Sequence, residues 1–367
     1  MVKDKTNQIC TLPPGSMERN FVKNVLRTFV TGKPYPKIPV GIEWDRFNQW
    51  LFANNLVLVP LFYAGYSESE VPIEIYSHWQ MFSMKVWHNH EVYSKATANL
   101  FSIFSDNGID AVVLRGLSIS SWLYSNPMIR PMRDVDILIR EKDRFAIVDI
   151  LKQHGYHPSK ILRSQIVYDI DSTIFEIHWS FFTPKRYQRR IDFNDWFLFS
   201  KRLEIEKGFF NILSPEHQCI DLISHGFIHH EFDNHLQLLD ISLIMIHKNI
   251  DWDLIRAGCK KASITRIIAF SLWYVNRFLK LGMEEPLTEF FGSLFNGSER
   301  LYQAYQDLFF GPDTLPGYLI RKKHLLTVTE GFSTKFKQGV CLLSVKELSA
   351  AGQAVLNKKY LSKGNMN

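Results

Sequence analysis

Arg130-Pro-Met-Arg-Asp-Val-Asp-Ile-Leu-Ile139 is the stretch on which the reading of the fold turns. Its second half, Asp134 to Ile139, has the short, mostly apolar pattern of a strand. Side chains along a strand alternate between faces with a period of two. Asp134, Asp136 and Leu138 therefore share one face, and Val135, Ile137 and Ile139 share the other. Two carboxylates roughly 7 Å apart on one strand face repel each other unless a cation lies between them. A hard divalent ion, Mg²⁺ or Mn²⁺, suits such a pair because it takes oxygen ligands and bridges substrate phosphates. An Asp-x-Asp pair alone also occurs in solvated turns and at strand ends, so its surroundings decide the reading.

Upstream, Asp110 to Arg115 contains a short apolar run suited to a buried strand, and Leu117 to Tyr124 forms a short helix ended by Asn126-Pro127. Downstream, Glu141 to His154 reads as an amphipathic helix with Phe145, Val148 and Leu151 inward, stopped at Gly155. Two β-rich runs, Gln165–Ile170 and Thr173–Trp179, flank Asp171-Ser172 as a hairpin. The order strand, helix, strand, helix, strand, strand describes a small mixed α and β unit over residues 108–205. Helical sequence flanks it. In 1–107, Glu43 to Asn54 carries an apolar face of Trp44, Phe47, Trp50 and Leu51, and a longer helix runs from Pro72 past Trp79 and Trp87 to Phe104, closed by Asn107-Gly108. Trp44, Trp50, Trp79 and Trp87 are expected in the core. In 206–340, helices are expected over Pro215–His229, Leu236–His247, Trp252–Ala262 and Ile264–Leu281, before a polar tail over 341–367.

Three features reinforce the Asp134/Asp136 pair. Gly116 follows a buried strand and opens a helix, where backbone amides can meet a phosphate. Ser118 offers either a phosphate contact or a helix-start hydroxyl. Strand alternation puts Ile174, Glu176 and His178 on one face, and a carboxylate among apolar neighbours needs a reason, either a metal or an ion pair with a nearby Arg. Arg130 and Arg133, in the loop before the strand, either neutralise a polyphosphate or brace the carboxylates. His178 is either a neighbour of the metal ligands or a core histidine. His225 and His229 sit at zinc-pair spacing on a helix, with His230 beside them. Gly226, however, stands where a zinc protease needs Glu, so packing or substrate contact is the preferred reading.

The bulk numbers agree with a soluble globular protein. The 367 residues are 46% hydrophobic and 22% charged, with a net charge of +6 and a pI near 8.9. That balance accommodates an anionic substrate such as a nucleotide and is too mild to argue for nucleic acid. Cys10, Cys219, Cys259 and Cys341 are scattered without a CxxC pair, which fits a reducing cytoplasm rather than a disulfide framework or zinc site. Met1 to Cys10 has no apolar signal region, and no apolar run approaches a membrane helix, so a cytoplasmic protein without a membrane partner is expected. The Asn296-Gly297-Ser298 sequon is then idle.

Leu114-Arg-Gly116, Arg130-Pro-Met-Arg-Asp-Val-Asp136, Gly155-Tyr156 and Glu176-Ile-His-Trp179 together resemble the uncharacterised nucleotidyltransferase family of the polymerase-β-like superfamily. The likeness continues through Leu213-Ser-Pro215, His225 to His230, Leu239-Asp-Ile241 and Asp251-Trp252, covering roughly residues 40 to 280. It implies an α+β fold, a small polymerase-β-like nucleotidyltransferase sheet core flanked by N- and C-terminal helical regions. It also implies a glycine turn, Gly116 with Ser118, holding the phosphates of a nucleoside triphosphate. Two divalent ions, Mg²⁺ or Mn²⁺, would sit on Asp134, Asp136 and Glu176, and Arg115, Arg130 and Arg133 would lie towards the nucleotide. Leu117 replaces the second Gly or Ser of the usual turn, and Arg115 stands where close members carry Lys. The expected reaction moves an NMP from an NTP, with ATP the default donor, to an acceptor that the sequence leaves open: small molecule, peptide, protein or RNA. Biosynthesis of a modified peptide or polysaccharide is one setting. A catalytically idle nucleotide-binding protein and a toxin-like enzyme acting on tRNA or protein are the alternatives.

Overall fold

The computed structural model describes residues 15–328, apart from 55, 163, 181–193, 207, 231–234, 248–249, 295–296 and 311–314. The N-terminal decapeptide with Cys10, the sequon asparagine Asn296, Cys341 and the polar tail over 341–367 lie outside the described residues, as do the side chains of His229 and His230.

The described strands form one seven-stranded mixed sheet in the order β3-β4-β5-β2-β1-β7-β6. At its centre β2 (Val135–Ile139) runs antiparallel to β1 (Ala111–Val113) and parallel to β5 (Thr173–His178). On one side β4 (Gln165–Ile170) and β3 (Pro158–Ile161) extend the sheet, and on the other β7 (Gly208–Ile212) and β6 (Lys201–Ile205). The expected hairpin is present. Asp171 and Ser172 both have positive φ (51° and 62°), the backbone that a two-residue turn between right-twisted strands needs. That turn pairs Ile170 with Thr173 and so places Val167 opposite Glu176. Strands β3, β6 and β7 have no counterpart in the sequence reading. Pro158–Ile161 is a mostly exposed edge strand without an apolar run, and Lys201–Ile205 carries only a short alternation, Leu203 and Ile205 against Arg202 and Glu204.

The described residues divide into two compact units, one over Gln80–His225 and His247–Ser263, the other drawn from Met1–Trp79, Gly226–Ile246 and Ile264–Asn367. In the first, the sheet's apolar face (Val113, Val135, Ile137, Phe175, Ile177 and Phe210) packs on Leu100, Phe101 and Phe104 of the long helix α4 (Ile73–Asp106) and on Ile147 and Leu151 of α6 (Ala146–Gln153). The expected helix over Glu141–His154 is thus a 3-10 turn at Glu141–Asp143 followed by the shorter α6. Phe145, expected inward, is 70% exposed. It precedes the first helical residue, outside the Ile147/Leu151 face, and the Arg144 guanidinium lies 4.6 Å from its ring centre. This unit also holds α5 (Arg115–Trp122), α7 (Asn194–Leu198), α10 (Trp252–Ala262) and most of α8 (Pro215–His230).

The second unit is helical, with α1 (Ser16–Thr31), α2 (Trp44–Asn54), α3 (Val59–Gly65), α9 (His235–Met245), α11 (Thr265–Leu279), α12 (Glu284–Phe291), α13 (Glu299–Phe310) and α14 (Leu315–Val328). Its core is aromatic: Phe47, Trp50, Phe62 and Trp79 are at most 3% exposed, and Tyr274 and Tyr305 at most 1%. Trp87, expected in the core, is 48% exposed. It lies eight residues along α4 from Trp79, roughly 80° around the helix, whereas Val86, seven residues on, stays on the buried face.

Candidate active site

The turn from β1 into α5 comes first. Leu114 ends in an extended conformation, and Arg115 then takes a positive φ of 24°, which side-chain-bearing residues rarely adopt. Its amide donates to Asp221 Oδ2 of α8 at 3.3 Å. Gly116 lies under the loop from Arg130 to Asp134. A Cβ there would sit 3.6 Å from Met132 Sδ and 3.8 Å from both Arg130 Nη1 and the Asp134 carbonyl, so the loop rests on this turn without crowding it. Ser118 is fully buried and donates to Gln218 Oε1 on α8 at 2.8 Å.

Register does the next step. Because β2 and β5 run parallel, Asp136 stands directly opposite Glu176 and Leu138 opposite His178. Neighbouring strands lie about 4.8 Å apart, so the two carboxylates converge on one face. Asp136 Oδ1 is 2.8 Å from His178 Nε2, while Oδ2 accepts from Arg115 Nε at 3.2 Å and Nη2 at 3.0 Å. Glu176 Oε2 is 3.7 Å from His178 Nε2 and accepts from Gln165 Nε2 at 2.6 Å. Ligand atoms of Asp136, Glu176 and His178 all lie within 4.8 Å of one another, an arrangement that could hold a cation. Asp134 enters the strand one residue before regular pairing begins.

The charge balance fits a cation there. Burial, then the neighbouring charges of Asp136 and Glu176, push the Asp134 carboxyl up to about 6, the mark of unshared negative charge. Burial alone would raise Asp136 too, yet the Arg115 guanidinium and the His178 hydrogen bond hold it well below the usual carboxylate range. His225, on α8, contributes to that lowering. Arg115, although buried, is kept firmly charged by Asp136 and Asp221. On the rim, Arg133 is exposed, and its carbonyl accepts a long 3.5 Å bond from the Tyr93 hydroxyl of α4. Arg130 is only 4% exposed, and His90 nearby, lowered to about 4 by burial and by Arg130, is neutral at physiological pH.

The structure thus brings Asp134, Asp136, Glu176, Gly116, Arg115 and Arg130 around one place. Ser118 lies just behind, turned to α8. The sequence reading did not single out Asp221, Gln218 or Gln165. Asp221 carried a usable signal, a lone carboxylate inside the apolar run Cys219-Ile-Asp-Leu-Ile223.

A strand–turn–helix set beside paired carboxylates on adjoining strands is the arrangement that the resemblance to nucleotidyltransferases leads one to expect. Residues 41–280 match the family described as uncharacterised nucleotidyltransferase, and the chain belongs to it. No curated protein matches the chain. Among solved structures, the solution structure of the antibiotic-resistance factor ANT(2'')-Ia is 12% identical, covering 55% of this chain and 98% of that one at a TM-score of 0.31. A crystal structure of ANT(2'')-Ia with adenylyl-2''-tobramycin is also 12% identical, covering 50% and 97% at 0.34. An antigenic nucleotidyltransferase-like protein from Paracoccidioides brasiliensis is 13% identical, covering 55% and 93% at 0.35. Likeness at this level carries no part of the functional reading. Among the described residues, no helix is long and apolar enough to cross a membrane.

Proposed function

We propose that this enzyme moves an NMP from an NTP, ATP by default, to a hydroxyl-bearing acceptor, in a reaction that depends on Mg²⁺ or Mn²⁺. The observation that carries the proposal is the register of β2 and β5, which sets Asp136 opposite Glu176 with Asp134 on the same approach. Asp134, Asp136 and Glu176, with His178 beside them, would hold a divalent ion, which would neutralise phosphate charge and lower the pKa of the attacking hydroxyl. The Gly116 turn and the basic groups Arg130 and Arg133 receive the triphosphate, matching its negative charge. Glu176, whose side chain is less buried than that of Asp136, accepts the proton that the acceptor hydroxyl loses in this proposal. Arg115 stays on Asp136 and keeps that carboxylate ionised. The acceptor is a small molecule, peptide, protein or RNA, and the setting is the cytoplasm, where free thiols such as buried Cys219 and Cys259 persist.

The test is pyrophosphate release from each NTP with Mg²⁺ and a panel of hydroxyl-bearing acceptors. Release that needs both the ion and an acceptor is the expected result. Nucleotide binding with no turnover across the whole panel would instead support an idle nucleotide-binding protein, and label entering tRNA or protein would identify a macromolecular acceptor.

A further inference from the structure

Asp221 is fully buried in α8, more than a hundred residues from the turn it touches, and it makes three polar contacts. Its Oδ1 accepts from Arg115 Nη1 at 2.7 Å, and its Oδ2 accepts from the Arg115 amide at 3.3 Å and from Gln218 Nε2 at 3.4 Å. Gln218, one helical turn earlier, also receives the Ser118 hydroxyl. One helix face therefore grips both ends of the first turn of α5. The grip passes onward, because Arg115 uses its remaining Nε and Nη2 edge on Asp136 Oδ2. A guanidinium is a rigid planar fork, so fixing one edge against Asp221 fixes the plane of the other. Asp136 Oδ2 is thereby taken by Arg115, and Oδ1, 2.8 Å from His178 Nε2, is the oxygen turned to the Glu176 and His178 cluster that could hold a cation.

From this geometry we infer that Asp221 is a positioning residue: acting through Arg115, it sets the orientation of Asp136 and leaves a single oxygen of that carboxylate for the metal ion. A buried carboxylate costs free energy and is retained where something needs its charge. Here that charge balances Arg115, so the guanidinium is shared between two carboxylates instead of closing on Asp136 alone. Without it, Arg115 competes more strongly with the cation for Asp136. Groups behind metal ligands commonly change metal affinity by about 10–100-fold when removed. The inference rests on the proposed metal-dependent reaction and concerns a residue that touches neither ion nor substrate.

The experiment is Mn²⁺ titration followed by electron paramagnetic resonance of free Mn²⁺, on the full chain, across a cycle of Asp221→Asn, Arg115→Lys and the double variant. Lysine keeps the charge and loses the fork. Asp221→Asn is expected to weaken Mn²⁺ binding about tenfold in the parent chain. In the Arg115→Lys background it is expected to add no more than about twofold, because the route through the guanidinium is already broken. Melting temperatures are read on the same samples. An equal loss in both backgrounds, or a lowered melting temperature with unchanged Mn²⁺ affinity, would overturn the inference. Should the Asn amide disturb packing, Asp221→Ser carries the same comparison. A parent chain that binds no Mn²⁺ would sink the metal-dependent reading itself, an outcome distinct from Mn²⁺ binding that ignores Asp221.

Discussion

The helical unit and the sheet unit fill their interiors with different chemistry. The helical unit buries aromatic rings: Phe62 lies 5.4 Å from Phe47 and 5.6 Å from Trp79, centre to centre, and in α11 and α13 Phe270 stacks on Tyr274 while Tyr305 meets Tyr274 at a tilt, 5.5 Å away. Buried polar groups occur there too: Trp79 Nε1 donates to Asn48 Oδ1 at 2.8 Å, and Nη1 of the buried Arg321 donates to the Ala304 carbonyl at 3.1 Å. The sheet unit has one apolar face of aliphatic and aromatic side chains and, away from it, buries Arg115, Asp221 and most of Asp136. Apolar burial stabilises a fold at little chemical risk, whereas buried charges cost desolvation and are held only by their partners. The helical unit buries Asp240 and Arg321 as well; the difference is that in the sheet unit the buried charges pair with one another at the candidate site, Arg115 with Asp136 and Asp221.

That contrast can be broken by substitution. The largest effect is expected from Asp134→Asn, which should reduce nucleotidyl transfer on the order of 10³-fold, since an ion's charge stabilisation amounts to several kcal/mol, while the melting temperature moves little because the change removes a carboxylate crowded by Asp136 and Glu176. A variant that loses stability and activity in step would contradict it. In the helical unit Trp79→Ala should do the opposite: a loss of about 3–5 kcal/mol in urea denaturation, with transfer per folded molecule unchanged. Arg115→Met comes next, destabilising by about 3 kcal/mol because it strands a buried carboxylate. Pairing it with Asp221→Leu should recover most of that loss, and no recovery would mean that the two charges are not partners.

The smallest effect is in pH. Asp134, near 6 when folded, lies above its unfolded value of about 3.9, so the folded protein binds the extra proton between those values. Its contribution is therefore most favourable below about pH 4 and is lost as pH rises through 6. A divalent cation can take the proton's place. The rise in melting temperature caused by Mg²⁺ should be greater at pH 8 than at pH 5, read by calorimetry, and a rise independent of pH would count against a cation at Asp134.

Much of the sheet unit was legible in the sequence because its signals are local. Alternation put Asp134 and Asp136 on one face, the Asp171-Ser172 turn announced the hairpin, and Glu176 followed from the hairpin's period. Long-range pairings were not legible. Nothing local in Gly208–Ile212 says that it lies parallel to β1, nor in Cys219–Ile223 that Asp221 reaches back to Arg115. Phe145 and Trp87 misled because an apolar pattern gives a helix's period, whereas their places depend on where α6 begins and on which neighbours meet α4. The role of Arg115 was half visible: the family resemblance set it towards the nucleotide, and its pairing with Asp136 needed coordinates.

The most direct test is incorporation of label from an α-labelled NTP in lysate, with purified parent chain set against the Asp134→Ala/Asp136→Ala variant. The account expects Mg²⁺-dependent labelling of an acceptor by the parent chain and none by the variant, at matched circular dichroism. Equal labelling by the two would contradict it.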